Sequence, residues 1–383
     1  MRLAVYTDYE YRSDGVHRYG QRAFVVFLEA LRPHVDRLVL VGRLDPQPGR
    51  SHYKLHEDTE LVGLPHYTSL AHPWSVARSL LASIWRFWRL LDEVDVVWVL
   101  GPYPHSVVFA LITALRRRTL VLGVRQDTRA YIRSRRPDQR WMHVAADLLE
   151  TVWSLFARRR AIVVVGPELE RKYNRASSVL GINVSLVRAE DVVPPELPRA
   201  RSYEDELTVL TVGRLDTEKN PLLLAEILAL LEAEEERRWR LVVCGDGPML
   251  PQLQSRLGEL GLLDRVDLRG YVAIDGGLLE LYRQSHMFLH VSWTEGFPQV
   301  LIEAFAAGLP TVATAVGGVP AAAEGSALLV QSGDGRAAAD ALQRLAADPE
   351  LRKQLVDKAL ERARGCTLEA ETERLVRFIM AAP

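Results

Sequence analysis

From the first residue to about position 190, short β-branched runs alternate with longer stretches of helical periodicity. Residues 1–6, 38–41, 94–100, 120–124 and 162–165 read as strands, being runs of Val, Ile and Leu with few charges. Between them, 21–31, 75–91 and 106–116 repeat their apolar positions every three or four residues, the spacing of a helix face. Strands alternating with helices in this order predict a parallel sheet covered on both faces. Residues 191–206 break the rhythm with Pro194, Pro195 and Pro198 among charged residues and no period, and read as a linker. The alternation then restarts. Strands are predicted at 207–212, 241–244, 266–268, 287–291 and 311–313, with helices at 221–236, 249–260, 278–284 and 300–307. The expected fold class is α/β, two doubly wound Rossmann-like domains facing across a cleft, with ligand outside the carboxyl ends of the strands. The expected domains are 1–192, a hinge at 193–206, and 207–366.

Composition changes this picture little. A chain of 383 residues, 48% hydrophobic, has material for two cores and is not a disordered polymer. Its net charge of -1 hides a split, since residues 1–200 carry 29 basic and 21 acidic side chains and the remainder has a net charge of -9. Two cysteines, Cys244 and Cys366, make no disulfide framework. The opening residues read as a strand and not as a secretion signal, and no apolar run approaches the roughly 18 residues of a membrane span. A cytoplasmic protein is expected, with any membrane contact peripheral and at the inner face of the cytoplasmic membrane.

Candidate chemistry begins at the end of the strand 207–212, where Gly213-Arg214-Leu215-Asp216-Thr217-Glu218-Lys219-Asn220-Pro221 places two cations in a loop before a helix opened by proline. A guanidinium fork and an ammonium point charge suit a diphosphate whose negative charge grows as it leaves. Only five lysines stand against 43 arginines, which singles out Lys219. A loop salt bridge with Asp216 or Glu218 is the other reading of the same residues. A second loop, Ser292-Trp293-Thr294-Glu295-Gly296-Phe297-Pro298, leads into a helical pattern that ends at Gly308, so its amides face the front of a helix where an anion is favoured. Glu295 and Glu303 bracket that place. Carboxylates beside a phosphate site make electrostatic sense if they bind hydroxyls, which points to sugar and ribose.

Glu, seven residues, Glu, preceded by the Gly-Arg and Lys loop, resembles glycosyltransferase family 4, the large retaining family of GT-B fold. Cys244-Gly245-Asp246-Gly247-Pro248, Arg269-Gly270-Tyr271-Val272 and Val316-Gly317-Gly318-Val319-Pro320 extend the resemblance over most of 207–345, whereas 1–190 resembles the family mainly in strand and helix order. The resemblance implies a retaining hexosyltransferase-type enzyme that needs neither metal nor other cofactor. It would pass a sugar from a nucleoside-diphosphate sugar to a hydroxyl acceptor, such as a lipid-linked glycan or polysaccharide precursor. Carried over by motif, Gly213, Arg214 and Lys219 would hold the donor diphosphate. Glu295 would take the sugar hydroxyls with the Gly296 and Phe297 amides, and Glu303 the ribose. Tyr271 and Val272, beside Gly270, would lie along the base, with Gly245 and Gly247 letting backbone approach the nucleotide; a tight turn after a strand is the plainer reading of that glycine pair. The last helix, 367–383, would pack back on the first domain.

The first domain departs from the family pattern. A paired-glycine loop is represented by Asp14-Gly15-Val16 alone, read as an acceptor or phosphate loop preceding a helix, or as an N-cap turn by Asp14. The family's His-Asp pair, which contacts the reacting sugar, is replaced by Gln126-Asp127, which would take that catalytic place, after Arg125, a candidate phosphate or acceptor ligand. An Asn-Gly turn is replaced by Arg188-Ala189-Glu190-Asp191. Two alternatives stand beside this reading: a catalytically silent homologue that binds a nucleotide sugar, which the missing histidine supports, and a GT-B sugar-nucleotide epimerase, which would share the nucleotide site.

Other features are plainer. No Asp-x-Asp triplet occurs, and His52 with His56, at helical spacing, has no cysteine or carboxylate cluster nearby, so no metal site is expected. The run Glu234-Glu235-Glu236 reads as a solvated helix end, and Arg116–Arg118 and Arg158–Arg160 as cations at helix C-termini. Residues 113–140 nevertheless hold nine arginines, Arg135 and Arg136 among them, against two acids. Next to them the pattern at 74–91 is basic, aromatic and amphipathic, read either as a core helix with an arginine face or as a contact with an anionic membrane. Nucleic acid is not an expected partner.

Overall fold

The computed structural model describes residues 1–69, 71–135, 138–234 and 237–382. Arg136 of the basic stretch, Glu235 and Glu236 of the acidic run, and Pro383 at the end of the last predicted helix lie outside the described residues. The chain forms two compact units, Met1–Val184 with Glu371–Pro383, and Ser185–Ala370.

The first unit is built on nine strands: β1 (Arg2–Ser13), β2 (Arg18–Gly20), β3 (Arg37–Leu44), β4 (Tyr53–Lys54), β5 (Glu60–Pro65), β6 (Val96–Gly101), β7 (Thr119–Val124), β8 (Ala161–Val165) and β9 (Ser178–Ile182). Seven run parallel in the order β5-β3-β1-β6-β7-β8-β9, while β2 pairs antiparallel with the last residues of β1 and β4 antiparallel with β2. The register pairs Val5 with Leu40 and with Trp98, and Val121 with Ala161. The central strands β6, β7 and β8 are apolar and buried almost from end to end, as in a parallel sheet covered on both faces. Tyr6, Phe87, Phe109 and Trp153 fill one side of this sheet completely shielded from solvent.

The expected helix 21–31 is reduced to Phe24–Glu29, and Gly15 does not precede it. The segment Asp14-Gly15-Val16 is instead the turn joining β1 to β2, closed by the Asp14 amide on the His17 carbonyl at 3.2 Å, with Gly15 at φ +95°. Asp14 accepts from the Val16 and His17 amides at 3.1 and 2.7 Å, and from the Tyr19 hydroxyl at 2.8 Å. It therefore fastens a hairpin and does not cap a helix.

The second unit has six parallel strands: β10 (Leu207–Val212), β11 (Trp239–Cys244), β12 (Val266–Gly270), β13 (Met287–His290), β14 (Thr311–Thr314) and β15 (Leu328–Val330). Their order is β12-β11-β10-β13-β14-β15. The chain winds outward one way from β10 and then the other way from β13, so the topological switch point lies between these two central strands, at their carboxyl ends.

Residues 191–206 do not form a free linker. The Val193 amide donates to the Ala306 carbonyl at 2.8 Å, Val193 and Pro198 are buried, and a short helix, Glu196–Arg199, interrupts the segment. Close approach explains Gly308: a Cβ there would lie 2.7 Å from the Pro198 ring. At the other end of the unit, the helix Leu368–Met380 carries the chain back. Leu368 donates to the Val187 carbonyl at 2.7 Å, whereas Glu371 accepts from Asn183 at 3.2 Å and Arg374 donates to the Gly181 carbonyl at 3.2 Å.

Candidate active site

The switch point of the second sheet brings the two loops singled out in the sequence together. After β10, a single 3-10 turn, Thr217–Lys219, is stopped by Asn220 in the left-handed conformation, and Pro221 starts the next helix. This turn aims the Lys219 ammonium at the loop after β13, where it donates to Glu295 Oε1. The same oxygen accepts from Ser292 Oγ at 2.8 Å and lies 2.8 Å from His290 Nε2. Ser292 is fixed in turn, its carbonyl accepting from Thr314 Oγ1 at 2.8 Å. Burial pushes the Glu295 carboxyl up, but hydrogen bonding from His290 and the Lys219 charge outweigh it and bring it down to about 2. All three donors act on Oε1. Oε2 accepts from none of the described residues, and the Gly296 and Phe297 amides beside it likewise meet no acceptor among them.

Glycines set the loop's path. A Cβ on Gly317 would fall 1.9 Å from the Glu295 carbonyl oxygen, and one on Gly318 1.8 Å from that of Gly296. The Val316–Pro320 turn thus packs backbone to backbone under the Glu295 loop, which only glycine permits. Gly245 and Gly247 do the same beneath the Arg214 loop, where a Cβ would meet the Gly213 carbonyl at 1.8 Å and the Leu215 carbonyl at 2.5 Å. The space these two glycines leave is filled by the protein's own loop, whereas Gly213, Gly270 and Gly296 have open space where a Cβ would point.

The remaining candidates are placed as follows. Arg214 is about half exposed and held by Asp216 and, at 2.7 Å, by Glu218, so the salt-bridge reading of this arginine is realised in the structure while Lys219 goes to Glu295. Glu303 lies in the helix Gln299–Ala306, buried, its Oε2 accepting from the Tyr282 hydroxyl at 2.8 Å. Burial raises its carboxyl above the usual range, the phenol offsetting part of this. Tyr271 presents an exposed ring just past β12, and Val272 packs into the core beneath. No group of three or more His, Cys, Asp or Glu side chains able to hold a metal occurs among the described residues.

Residues 195–362 match the model of the family described as glycosyl transferases group 1. The second unit is a glycosyl transferases group 1 domain. This is the family the sequence resembles, and the two Rossmann-like units are those of its GT-B fold. Mannosylfructose-phosphate synthase from Agrobacterium fabrum is 42% identical over 131 residues, which is 32% of this chain and 29% of that protein. D-inositol 3-phosphate glycosyltransferase from Actinosynnema mirum is 36% identical over 184 residues, 45% of this chain and 43% of the relative. Each match spans less than half of the curated relative's length. Among solved structures, sucrose-phosphate synthase from Thermosynechococcus elongatus gives a TM-score of 0.72 at 19% identity, covering 99% of this chain and 98% of its own. The Anabaena protein HepE, solved in complex with UDP, gives 0.69 at 16% identity with both chains fully covered.

Outside the glycosyl transferases group 1 domain, the first unit has its own small pocket where the middle of β1 meets the carboxyl ends of β6 and β7, lined by Thr7, Asp8, Tyr9, Leu100, Gly101, Tyr103, Arg125 and Gln126. The Arg125 guanidinium lies 3.9 Å over the Phe24 ring and 5.6 Å from that of Tyr9, its Nε without a hydrogen-bond partner. Burial without a carboxylate lowers it to about 10. Asp127 is engaged in the fold: its Oδ1 accepts from the Ala130 amide at 3.0 Å at the front of the helix Thr128–Arg135, and Lys172 donates to Oδ2 at 2.9 Å.

Sequence reasoning passed over four residues here. His290, Ser292 and Thr314 brace the Glu295 loop, and Ser292 stood in the quoted motif without a role. Asp8 lines the same pocket, buried 3.6 Å from Arg43 Nε and hydrogen-bonded by the Tyr6 hydroxyl at 3.2 Å and by Tyr67, and burial raises its carboxyl. The available signal was an acid directly after the apolar run that opens the chain.

Proposed function

We propose that this protein is a retaining glycosyltransferase that moves a sugar from a nucleoside-diphosphate sugar to a hydroxyl acceptor without a metal or other cofactor. The observation that carries this reading is Glu295. One of its oxygens is locked by Lys219, His290 and Ser292, while the other is open beside two unengaged amides at the front of a helix. A carboxylate kept ionised and half-occupied is a hydroxyl acceptor, and the donors around it suit an anion. Lys219 spends one of its three N–H groups on Glu295 and has two left for a phosphate oxygen.

In the reaction, the bond from the anomeric carbon to the diphosphate oxygen breaks with its electron pair going to the diphosphate, where Arg214, Lys219 and the amides near Pro298 balance the new charge. The acceptor oxygen attacks the same face, and its proton passes to the departing phosphate. Tyr271 would stack on the base and Glu303 would hold the ribose. In the first unit, Arg125 and Gln126 would contact the acceptor or the reacting sugar. Relatives named for sugar-phosphate and inositol-phosphate chemistry, and a structural neighbour solved with UDP, support a nucleotide-sugar donor.

The test is nucleoside diphosphate release from a panel of nucleotide sugars, with and without hydroxyl acceptors, in the presence of EDTA. Acceptor-dependent release, a product of unchanged anomeric configuration, and loss in Glu295→Ala and Lys219→Ala are expected. Acceptor-independent isomerisation would identify an epimerase instead. Asp127, committed to a helix front and to Lys172, favours one second reading, a silent homologue. Binding of a nucleotide sugar without turnover on any acceptor would establish it.

A further inference from the structure

In the first unit, the helices Pro73–Leu90, Pro104–Leu115 and Arg140–Ala157 are neighbours on one face of the sheet. Each buries one side: Ser79, Ser83 and Phe87; Phe109 and Ile112; Ala146 and Trp153. Each also carries large apolar side chains on the side that faces water, among Arg78, Arg86 and Arg89 on the first helix and beside Asp147, which pairs with Arg129 and Arg133, on the third. The first helix exposes Leu81 (72%), Trp85 (62%) and Trp88, at i, i+4 and i+7. The second exposes Leu111 and Leu115, and the third Trp141, Val144 (69%), Leu148 (64%) and Leu155, in near-heptad spacing. A soluble surface rarely shows so many large apolar side chains together.

Topology adds charge at one edge. The three helices lead into β6, β7 and β8, which are parallel neighbours, so all three helix C-termini lie at the edge where these strands begin. Arg86 and Arg89 occupy that end of the first helix, and the other two end in Arg116–Arg118 and Arg158–Arg160. Each triplet starts at the helix cap and runs past it, so the cations suit the helix dipole and also gather at one edge. Arg116 lies over the Trp88 ring at 4.5 Å and pairs with Asp92, but no carboxylate pairs with Arg117, Arg118, Arg158, Arg159 or Arg160 among the described residues. The first two helices contain no acidic residue.

We infer that this three-helix face docks on an anionic lipid bilayer, the aromatic and aliphatic side chains entering the headgroup boundary and the arginine edge meeting lipid phosphates. Tryptophan and leucine flanked by unpaired arginines match the apolar and negative layers of such a surface in the order they occur. A protein partner would need acids complementary to the edge and a shaped apolar cover, whereas a bilayer supplies both layers to a face built of helices. No described helix is long and apolar enough to cross the membrane, so the attachment is peripheral.

The test is co-sedimentation of the full chain with vesicles of phosphatidylcholine alone and of equal phosphatidylcholine and phosphatidylglycerol, at low and high salt. Binding to the anionic vesicles, weakened by salt, is expected. The triple variant Leu81→Glu, Val144→Glu, Leu148→Glu changes only exposed positions. With unchanged melting, it should bind at least about tenfold more weakly. Arg158→Gln, Arg159→Gln, Arg160→Gln should bind with a shallower salt dependence. Absence of wild-type binding to anionic vesicles, or equal binding by the glutamate variant, overturns the inference. So does a dimer in vesicle-free buffer that the glutamate variant dissociates, which would assign the face to a second copy. None of these readouts involves the donor, so the result is independent of the proposed transfer reaction.

Discussion

Replacing Glu295 with glutamine keeps the shape of the side chain and removes the charge on which Lys219, His290 and Ser292 converge. The carboxyl is held at about 2 against an ordinary 4.5. At 1.36 kcal/mol per pH unit, ionised Glu295 stabilises the fold by roughly 3 kcal/mol at neutral pH. The folded value is depressed, so this contribution is fully present above the unfolded value and is lost as pH falls toward 2. Between pH 5.5 and 3 it should shrink from roughly 3 to roughly 1 kcal/mol. Calorimetric melting of wild type and Glu295→Gln over this range should therefore show the gap in melting temperature of the second unit narrowing by ~4–8 °C for a unit of this size. A gap that stays constant across the window would mean that Glu295 is not held as an ionised group, and the reasoning about the site would fail with it.

Other perturbations separate the parts of the site. Gly317→Ala places a methyl 1.9 Å from the Glu295 carbonyl, whereas at Gly296 the space is open. The first variant should lose donor binding and melt several degrees lower, and Gly296→Ala should melt within about a degree of wild type. Tyr282→Phe removes the donor on buried Glu303 and should cost about 1–2 kcal/mol in denaturant unfolding at pH 7. Because burial raises the Glu303 carboxyl, that cost should be smaller at pH 4, where the group is protonated. Arg125→Met should raise the KM for acceptor and leave nucleotide binding to the other unit unchanged, measured by titration calorimetry.

The central strands of both sheets were legible because burial on two faces forces continuous β-branched runs, and 207–212 was read to the residue, whereas the flanking parallel strands β5, β9 and β15 were not predicted. The short antiparallel additions β2 and β4 were not, since two- and three-residue strands have no period to detect. That omission also hid the nature of Gly15, whose turn looks the same in sequence whether a strand or a helix follows. The linker was misjudged because prolines that break periodicity can still pack, as Pro198 does against Gly308. In the site, Lys219 and Glu295 were readable from the loops after two strands, but their meeting depends on β10 and β13 being adjacent although 76 residues separate the two side chains. His290 escaped notice because it ends an apolar strand, where a histidine has no local signature. Glycine pairs gave a further lesson. A sequence shows that backbone must come close to something, and only the fold shows that for Gly245 and Gly317 this is another loop.

The central claim, a nucleotide-sugar site on the second unit, is tested most directly by melting wild type and Lys219→Ala with UDP, GDP, ADP and TDP and their sugar conjugates. A ligand at a hundredfold excess over its Kd stabilises by about 2.7 kcal/mol, a shift of several degrees. The account predicts a shift with one base that is larger for wild type than for Lys219→Ala. No shift with any of these ligands from folded wild type, or an equal shift in both proteins, would contradict it.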